Sequence, residues 1–157
     1  MTDLDRFDRQ LLNLVQQDAA LTAEQLAGQV SLSPSAIQRR LKRLREQGVI
    51  TRQVAVLDPA RVGRAMTFIA GLQVESERAD QMASLRGWIA AEPRVQQAFY
   101  VTGEADFVLV VTAPDAEAYE ALMAQLLAAH PNVRRYTTSV AMGVLKRGLA
   151  VPVPPGD

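Results

Sequence analysis

Basic side chains gather in one short stretch of the chain, where they could contact the phosphates of a nucleic acid. Between Arg39 and Arg52 there are six basic residues and one acidic residue, Glu46. The net charge of zero hides this concentration, because residues 1–64 carry +3 and residues 65–157 carry −3. Arginine and lysine neutralise phosphates in DNA-binding proteins. The unequal halves therefore indicate a basic module joined to an acidic one.

A helix between Ser33 and Gly48 would position these basic side chains. Ser33 is a favoured N-cap, Pro34 suits the first helical position, and Gly48 is a natural helix stop. The apolar residues of this segment recur at i, i+4 and i+7 and form one buried stripe, made of Ile37, Leu41 and Leu44. On the outward face, small and amide side chains can reach base edges, and basic ones can hold phosphates.

The candidate DNA-binding residues are the polar, small and basic side chains beside that stripe: Ser33, Ser35, Ala36, Gln38, Arg39, Arg40, Lys42 and Arg43. Arg40 borders the buried stripe, so bracing of the turn and contact with phosphate both remain open for it. A solvated basic face, or a three-helix module that binds protein, is the competing interpretation.

Two further helices are predicted before this one, over residues 5–17 and 23–30, the second with Thr22 as its N-cap. Together the three helices predict a winged-type helix-turn-helix, whose recognition helix approaches DNA with its N-terminal residues. The segment Thr51–Leu57 reads as a strand. A connector then leads to a domain boundary near residue 64, where the sign of the charge changes.

The second half of the chain alternates strand and helix patterns in the order β-α-β-β-α-β. The predicted strands cover residues 66–74, 95–101, 107–112 and 133–145, and the predicted helices cover 80–91 and 115–129. This order predicts a ferredoxin-like fold and an α+β chain. Helices would cover one face of its sheet, and the other face is apolar or mixed, so we expect a homodimer.

The expected domains are therefore a helix-turn-helix over residues 1–50, a strand and linker over 51–64, a βαββαβ domain over 65–147 and a tail over 148–157. The proline-rich tail after Gly148 is expected to be a poorly ordered end or an extended contact with a partner.

Several classes of function are disfavoured by composition. The chain has no cysteine and one histidine, His130, so we expect no metal site, no catalytic residues and no cofactor. No run of about 20 apolar residues is present, which argues against a membrane protein and favours the cytoplasm. The competing functional readings are a dimeric ferredoxin-like enzyme and a stand-alone amino-acid sensor with a protein-binding helical module.

Short motifs along nearly the whole chain resemble those of one family. They are Leu-Asp-Arg-x-Asp-Arg-x-Leu-Leu at residues 4–12, Leu-Ser-x-Ser at 32–35, Arg-Leu-x-Arg-Leu at 40–44, Gly-Val-Ile at 48–50 and Thr-Gly-Glu-Ala-Asp-Phe at 102–107. In this order they resemble the leucine-responsive regulator/AsnC family, the feast/famine regulators. The resemblance implies a transcriptional regulator that binds double-stranded DNA, forms dimers that assemble into tetramers or octamers, and senses an amino acid.

The resemblance also implies an effector site near the turn that holds Gly103 and Asp106. Gly103 allows close approach of a ligand to the backbone, whose amides from Val101 to Gly103 suit an α-carboxylate, and Asp106 suits an α-ammonium. The candidate effector-binding residues are Tyr100, Val101, Thr102, Gly103, Asp106, Thr137 and Thr138. The alternative is that Gly103 and Asp106 only build a tight turn.

Overall fold

The computed structural model describes residues 3–76 and 78–155, which divide into two compact units. Unit 1 runs to Ala55 and includes the residues from Lys146 onward, and unit 2 runs from Val56 to Leu145. This division differs from the expected boundary near residue 64. It also differs from the expectation of a separate tail, because the tail packs with the N-terminal helices.

Three helices form the body of unit 1: α1 (Arg6–Gln17), α2 (Ala23–Ala27) and α3 (Pro34–Glu46). Asp5, Thr22 and Ser33 cap them, and each cap side chain accepts a hydrogen bond from a first-turn backbone N–H. The predicted stripe is buried in a core made of Leu11, Leu12, Leu26, Val30, Ile37, Leu41 and Leu44. Helix α2 is shorter than predicted, because Gly28 is its C-cap.

The strand predicted over Thr51–Leu57 is absent, and this prediction was wrong. These residues have no regular secondary structure, and Val54, Val56 and Leu57 are exposed. A β-strand exists only where another strand supplies N–H and C=O partners. No described residue of this chain pairs with the segment in a sheet.

The first regular element of unit 2 is a short 3₁₀ turn, Ala60–Val62, and the predicted β-α-β-β-α-β order follows it. Its elements are β1 (Met66–Val74), α4 (Ala79–Ala91), β2 (Val95–Tyr100), β3 (Phe107–Ala113), α5 (Ala116–Ala129) and β4 (Val133–Val140). The strand order is β2-β3-β1-β4, and each of the three pairings is antiparallel. The α+β, ferredoxin-like prediction is confirmed.

The sheet has one face packed on helices and one face without them. Side chains alternate between the faces along each strand, as in β3, where every second residue from Phe107 is buried. On the helix side, Phe68 of β1 stacks on Tyr119 of α5, with ring centroids 4.1 Å apart. The opposite face, here called the open face, carries Ile69, Phe99, Val108 and Val110.

Strand β4 ends at Val140, five residues before the predicted end. Its last paired residue is opposite Phe68, and Ala141 then donates one more hydrogen bond to Thr67. Because β1 begins at Met66, only one of its residues lies beyond this last bond, and β4 cannot continue along it to Leu145.

The described part of the tail belongs to unit 1 and contacts α1, whereas a poorly ordered end was one of the two expectations for residues 148–157. Val151 and Val153 bond to side chains of α1 in the same unit. Gly156 and Asp157 lie outside the described residues. Within residues 3–76 and 78–155, no helix combines the length and apolar character that a membrane span requires.

Candidate nucleic-acid interface and ligand turn

The outward face of α3 is built by the helix spacing of its polar residues. Ser35, Gln38, Arg39 and Lys42 are all exposed, and they fall at i, i+3, i+4 and i+7, so they share one face. The opposite side of the helix is packed into the core of unit 1. The arrangement presents two cations and two short or amide side chains to solvent on a rigid element.

The first turn of α3 is fixed by local hydrogen bonds. The Ser33 hydroxyl accepts from the Ala36 backbone N–H at 3.3 Å and lies 3.2 Å from the hydroxyl of Ser35. Ala36 is half-buried, whereas both serines are exposed. The two hydroxyls thus lie at the N-terminal end of α3, the end at which a recognition helix meets base edges.

Arg40 and Arg43 are engaged by carboxylates of α1. The Arg40 Nη1 lies 2.6 Å from Asp5 Oδ2 and 2.9 Å from Asp8 Oδ1, and Arg43 Nη2 lies 2.5 Å from Asp8 Oδ2. Asp8 is 1% exposed, so its two oxygens are devoted to these guanidinium groups and to the cap of α1. Of the two roles left open for Arg40, bracing is the one that these contacts support.

The same ion pairs perturb Asp5. Desolvation by partial burial would raise the pKa of Asp5, but the backbone N–H of Asp8 and the Arg40 guanidinium outweigh it and lower that pKa. The sequence analysis did not predict that Asp5 and Asp8 pair with arginines of α3. The signal for their pairing was the equal spacing of two acids, Asp5-x-x-Asp8, and two arginines, Arg40-x-x-Arg43.

The turn between β2 and β3 is tied to the end of β1. Gly103 has φ +125°, a conformation that side-chain-bearing residues rarely adopt. Asp106 receives the Val74 backbone N–H on its Oδ2 at 2.7 Å and donates its own N–H to the Leu72 carbonyl at 2.8 Å. The carboxylate of Asp106 therefore braces β1, and Gly103 remains exposed at the tip of the turn.

A close contact beneath this turn involves Gly71 of β1, which the sequence prediction did not include. A Cβ on Gly71 would lie 2.9 Å from Thr137 Oγ1 and 3.3 Å from Ala105 Cβ. Thr137 is directly opposite Gly71 in the β1–β4 register. The available signal was a glycine inside a strand, which often marks a close approach of neighbouring groups.

Val101 and Thr102 lie in the turn itself, whereas Thr138 and Tyr100 lie on the helix-covered side of the sheet. Thr138 is opposite the buried Ala70, and its hydroxyl lies 2.7 Å from the Tyr119 hydroxyl, which belongs to α5. Tyr100 is opposite the buried Phe107 and contacts its ring with centroids 5.1 Å apart. The structure thus brings Thr137 towards the turn and separates Thr138 from it.

Tyr100 instead lines a shallow groove of about 360 Å³ between β2 and α4. The Arg86 guanidinium lies over the Tyr100 ring, 5.0 Å from its centroid. The groove is formed by side chains at the sheet edge, because β2 is an outer strand.

Comparison with known proteins matches both halves of the chain. Residues 4–51 match the model described as winged helix-turn-helix DNA-binding, and residues 67–151 match the Lrp/AsnC ligand binding domain. A relative from Sinorhizobium fredii, the uncharacterized HTH-type transcriptional regulator y4tD, is 44% identical, and the alignment covers 96% of this chain and 89% of the relative.

Solved structures agree over nearly the full length. An AsnC family transcriptional regulator from Agrobacterium tumefaciens is 30% identical with a TM-score of 0.89, covering 95% of this chain and 97% of that one. The complex of the transcriptional regulator NMB0573 from Neisseria meningitidis with L-Met is 27% identical with a TM-score of 0.88, covering 96% and 97%.

Proposed function

Because the chain belongs to the Lrp/AsnC family and is a DNA-binding transcriptional regulator of that type, we propose that α3 enters the major groove of double-stranded DNA. The observation that carries this proposal is the exposed face of α3. Ser35 and Gln38 near its start would meet base edges, and Arg39 and Lys42 would meet phosphates. We propose that the protein acts by binding DNA in the cytoplasm, as the likeness to transcriptional regulators from Sinorhizobium fredii and Agrobacterium tumefaciens supports.

The other candidates have supporting roles in this proposal. Ser33 and Ala36 fix the first turn of α3, which sets the position of Ser35 at the DNA. Arg40 and Arg43 hold α3 against α1 through Asp8. Arg43 keeps part of its side chain in solvent, so it adds positive charge at the edge of the same face.

The test is the salt dependence of DNA binding. A duplex selected from a random library supplies the probe, and fluorescence anisotropy measures the affinity between 50 and 200 mM salt, a range of about fourfold. The log–log slope should be about −0.9 per phosphate contacted, so Arg39→Ala should reduce its magnitude by about 1. Arg61→Ala, an equal change of charge on an exposed residue of unit 2, is the control. An unchanged slope for Arg39→Ala contradicts the proposed groove assignment.

We propose further that an amino acid binds at the Gly103 turn as effector. The L-Met complex of the Neisseria relative supports this ligand class. Backbone N–H groups at Thr102 and Gly103 would donate to the carboxylate, whereas the Val101 N–H already donates to the Asp106 carbonyl at 2.9 Å. Thr137 lies on β4, directly opposite Gly71 beneath this turn. Asp106 is placed to attract an ammonium group while it braces β1.

Calorimetry with L-methionine, followed by the other amino acids, tests the effector proposal. Saturable heat should appear with at least one of them and should be lost in Gly103→Ala, because alanine disfavours φ +125°. Gly143→Ala is the control, since Gly143 has no close neighbour and no positive φ. Absence of heat with all amino acids contradicts the proposal.

We propose that the open face of unit 2 forms the dimer interface. Ile69 is 44% exposed and Phe99 is 51% exposed on this face, next to the half-buried Val108 and Val110. Contiguous apolar surface of this kind is typical of protein interfaces. The assembly of dimers into tetramers or octamers is part of the same proposal.

A further inference from the structure

The segment after Gly148 lies along α1 and bonds to its side chains by backbone groups. The Gln16 Nε2 donates to the Val151 carbonyl at 3.0 Å, and the Gln16 Oε1 accepts from the Val151 N–H at 2.8 Å. Asn13 makes the same pair of bonds with Val153, at 2.9 and 3.3 Å. The two side-chain amides therefore bond to the tail in the way that a neighbouring strand would.

A third side chain extends this contact along the helix. Arg9 Nη1 donates to the Pro154 carbonyl at 3.2 Å. Arg9, Asn13 and Gln16 are spaced at i, i+4 and i+7, which places them on one face of α1. We call these three residues the amide strip.

The alternation of valine and proline in the tail fits the amide strip. In an extended chain, alternate residues present their N–H and C=O groups to the same side. Val151 and Val153 face the strip, and Pro152, which has no N–H, falls between them where no donor is needed. Proline also restricts the unbound chain, so less conformational entropy is lost on docking.

The docked tail is connected to the recognition helix through α1. Val153 packs against the core of unit 1. The N-terminal part of α1 carries Asp5 and Asp8, which bind Arg40 and Arg43 of α3. A contact that holds α1 therefore acts on the position of α3.

We propose that the amide strip is a binding site for an extended valine–proline peptide, that the chain's own tail is its occupant, and that docking of the tail raises DNA affinity by holding α1 against α3. Unit 2 is then attached to unit 1 at both of its chain ends. The part of this proposal that concerns affinity rests on the DNA-binding role of α3.

Amide hydrogen exchange of the full-length protein without DNA tests the site. The N–H groups of Val151 and Val153 should be protected, and the double variant Asn13→Ala/Gln16→Ala should exchange them at least about tenfold faster. The double variant Gln10→Ala/Gln17→Ala is the control, because it removes two exposed amides of α1 that lie off the strip. Fast exchange of these two N–H groups in the unaltered protein, or equal exchange rates in the two double variants, contradicts the proposed binding site.

A tail variant separates docking from folding of α1. Val153→Pro removes the N–H that donates to Asn13 and leaves every helix residue in place. The Val151 N–H should exchange faster in Val153→Pro. It should stay protected in Ala150→Pro, which removes no bonded N–H. Protection of Val151 that survives Val153→Pro contradicts the proposed site.

DNA affinity measured on the same proteins tests the coupling. Both disruptive variants should weaken binding about fivefold or more relative to their controls. Faster exchange without loss of affinity overturns the coupling and leaves the peptide site. If the unaltered protein does not bind DNA at all, that result contradicts the proposed role of α3, whatever the exchange experiment shows.

Discussion

Asp8 joins α1 to α3 in unit 1. It is 1% exposed and binds Arg40 and Arg43 of α3 as well as the backbone N–H of Asp5. A buried carboxylate is tolerated only when its oxygens are satisfied in this way. The cost of removing it is moderated because both arginines reach solvent in part.

We expect Asp8→Ala to lower the free energy of unfolding by about 2 kcal/mol, since hydrogen bonds to charged groups contribute about 1.5–3 kcal/mol. Urea denaturation measures this change. Asp3→Ala, which removes an exposed acid near the same helix end, should change stability by less than about 0.5 kcal/mol. Equal effects of the two substitutions would show that the ion pairs add nothing.

We expect His130 to make the free energy of unfolding of unit 2 depend on pH. His130 is buried beside Trp88, its Nε2 has no hydrogen-bond partner among residues 3–76 and 78–155, and burial lowers its pKa below the ordinary value of 6.5. The unfolded chain therefore binds the proton more readily. The stability contributed by neutral His130 is fully present above about pH 6.5 and is lost as pH falls through the lower, folded-state pKa.

Urea unfolding at pH 8 and at pH 5 measures this contribution. The free energy of unfolding should be smaller at pH 5, and His130→Phe should reduce the difference between the two values. A difference that is unchanged in His130→Phe assigns the pH dependence to other groups.

Among the elements of unit 2, β1 is a central strand that contacts β3, β4 and the turn between β2 and β3. It lies between β3 and β4, it receives the braces from Asp106, and its Gly71 allows the contact with Thr137 and Ala105. A side chain at position 71 would force the β4 partner or the turn to move. The strand therefore links the register of the sheet to the geometry of the turn between β2 and β3.

Gly71→Ala should destabilise the protein by about 1–3 kcal/mol, because the new methyl group overlaps Thr137 Oγ1. Gly87→Ala is the matched control, since Gly87 lies exposed on α4 with open space around its Cβ position, and it should stabilise by about 0.5–1 kcal/mol. Thermal unfolding compares the two. Stabilisation by both substitutions would contradict the close contact.

The sequence predicted an element well where local residue patterns marked both its first and its last residues. Ser33 and Gly48 bounded α3, and the alternation from Met66 to Val74 gave β1 to the residue. Contacts between distant residues could not be predicted in this way. Asp8 and Arg40 are 32 positions apart, and Thr138 was grouped with Thr137 although alternation places them on opposite faces.

At the scale of the whole molecule, the proposed dimer interface is the open face of unit 2. We expect Ile69→Asp to reduce the mass measured by light scattering to that of one chain, because a buried carboxylate without a partner is costly. Ala83→Asp places the same charge on an exposed position of α4 and should leave the mass unchanged. A multimeric Ile69→Asp protein would contradict the proposed interface.

The contact of the tail with α1 also has a consequence for biosynthesis. Gln16 and Val151 are 135 positions apart, so the ribosome must add the whole of unit 2 between them. At a synthesis rate of about 5–20 residues per second, the tail is made on the order of ten seconds after α1. Unit 1 therefore completes its packing only after the whole of unit 2 has been synthesised.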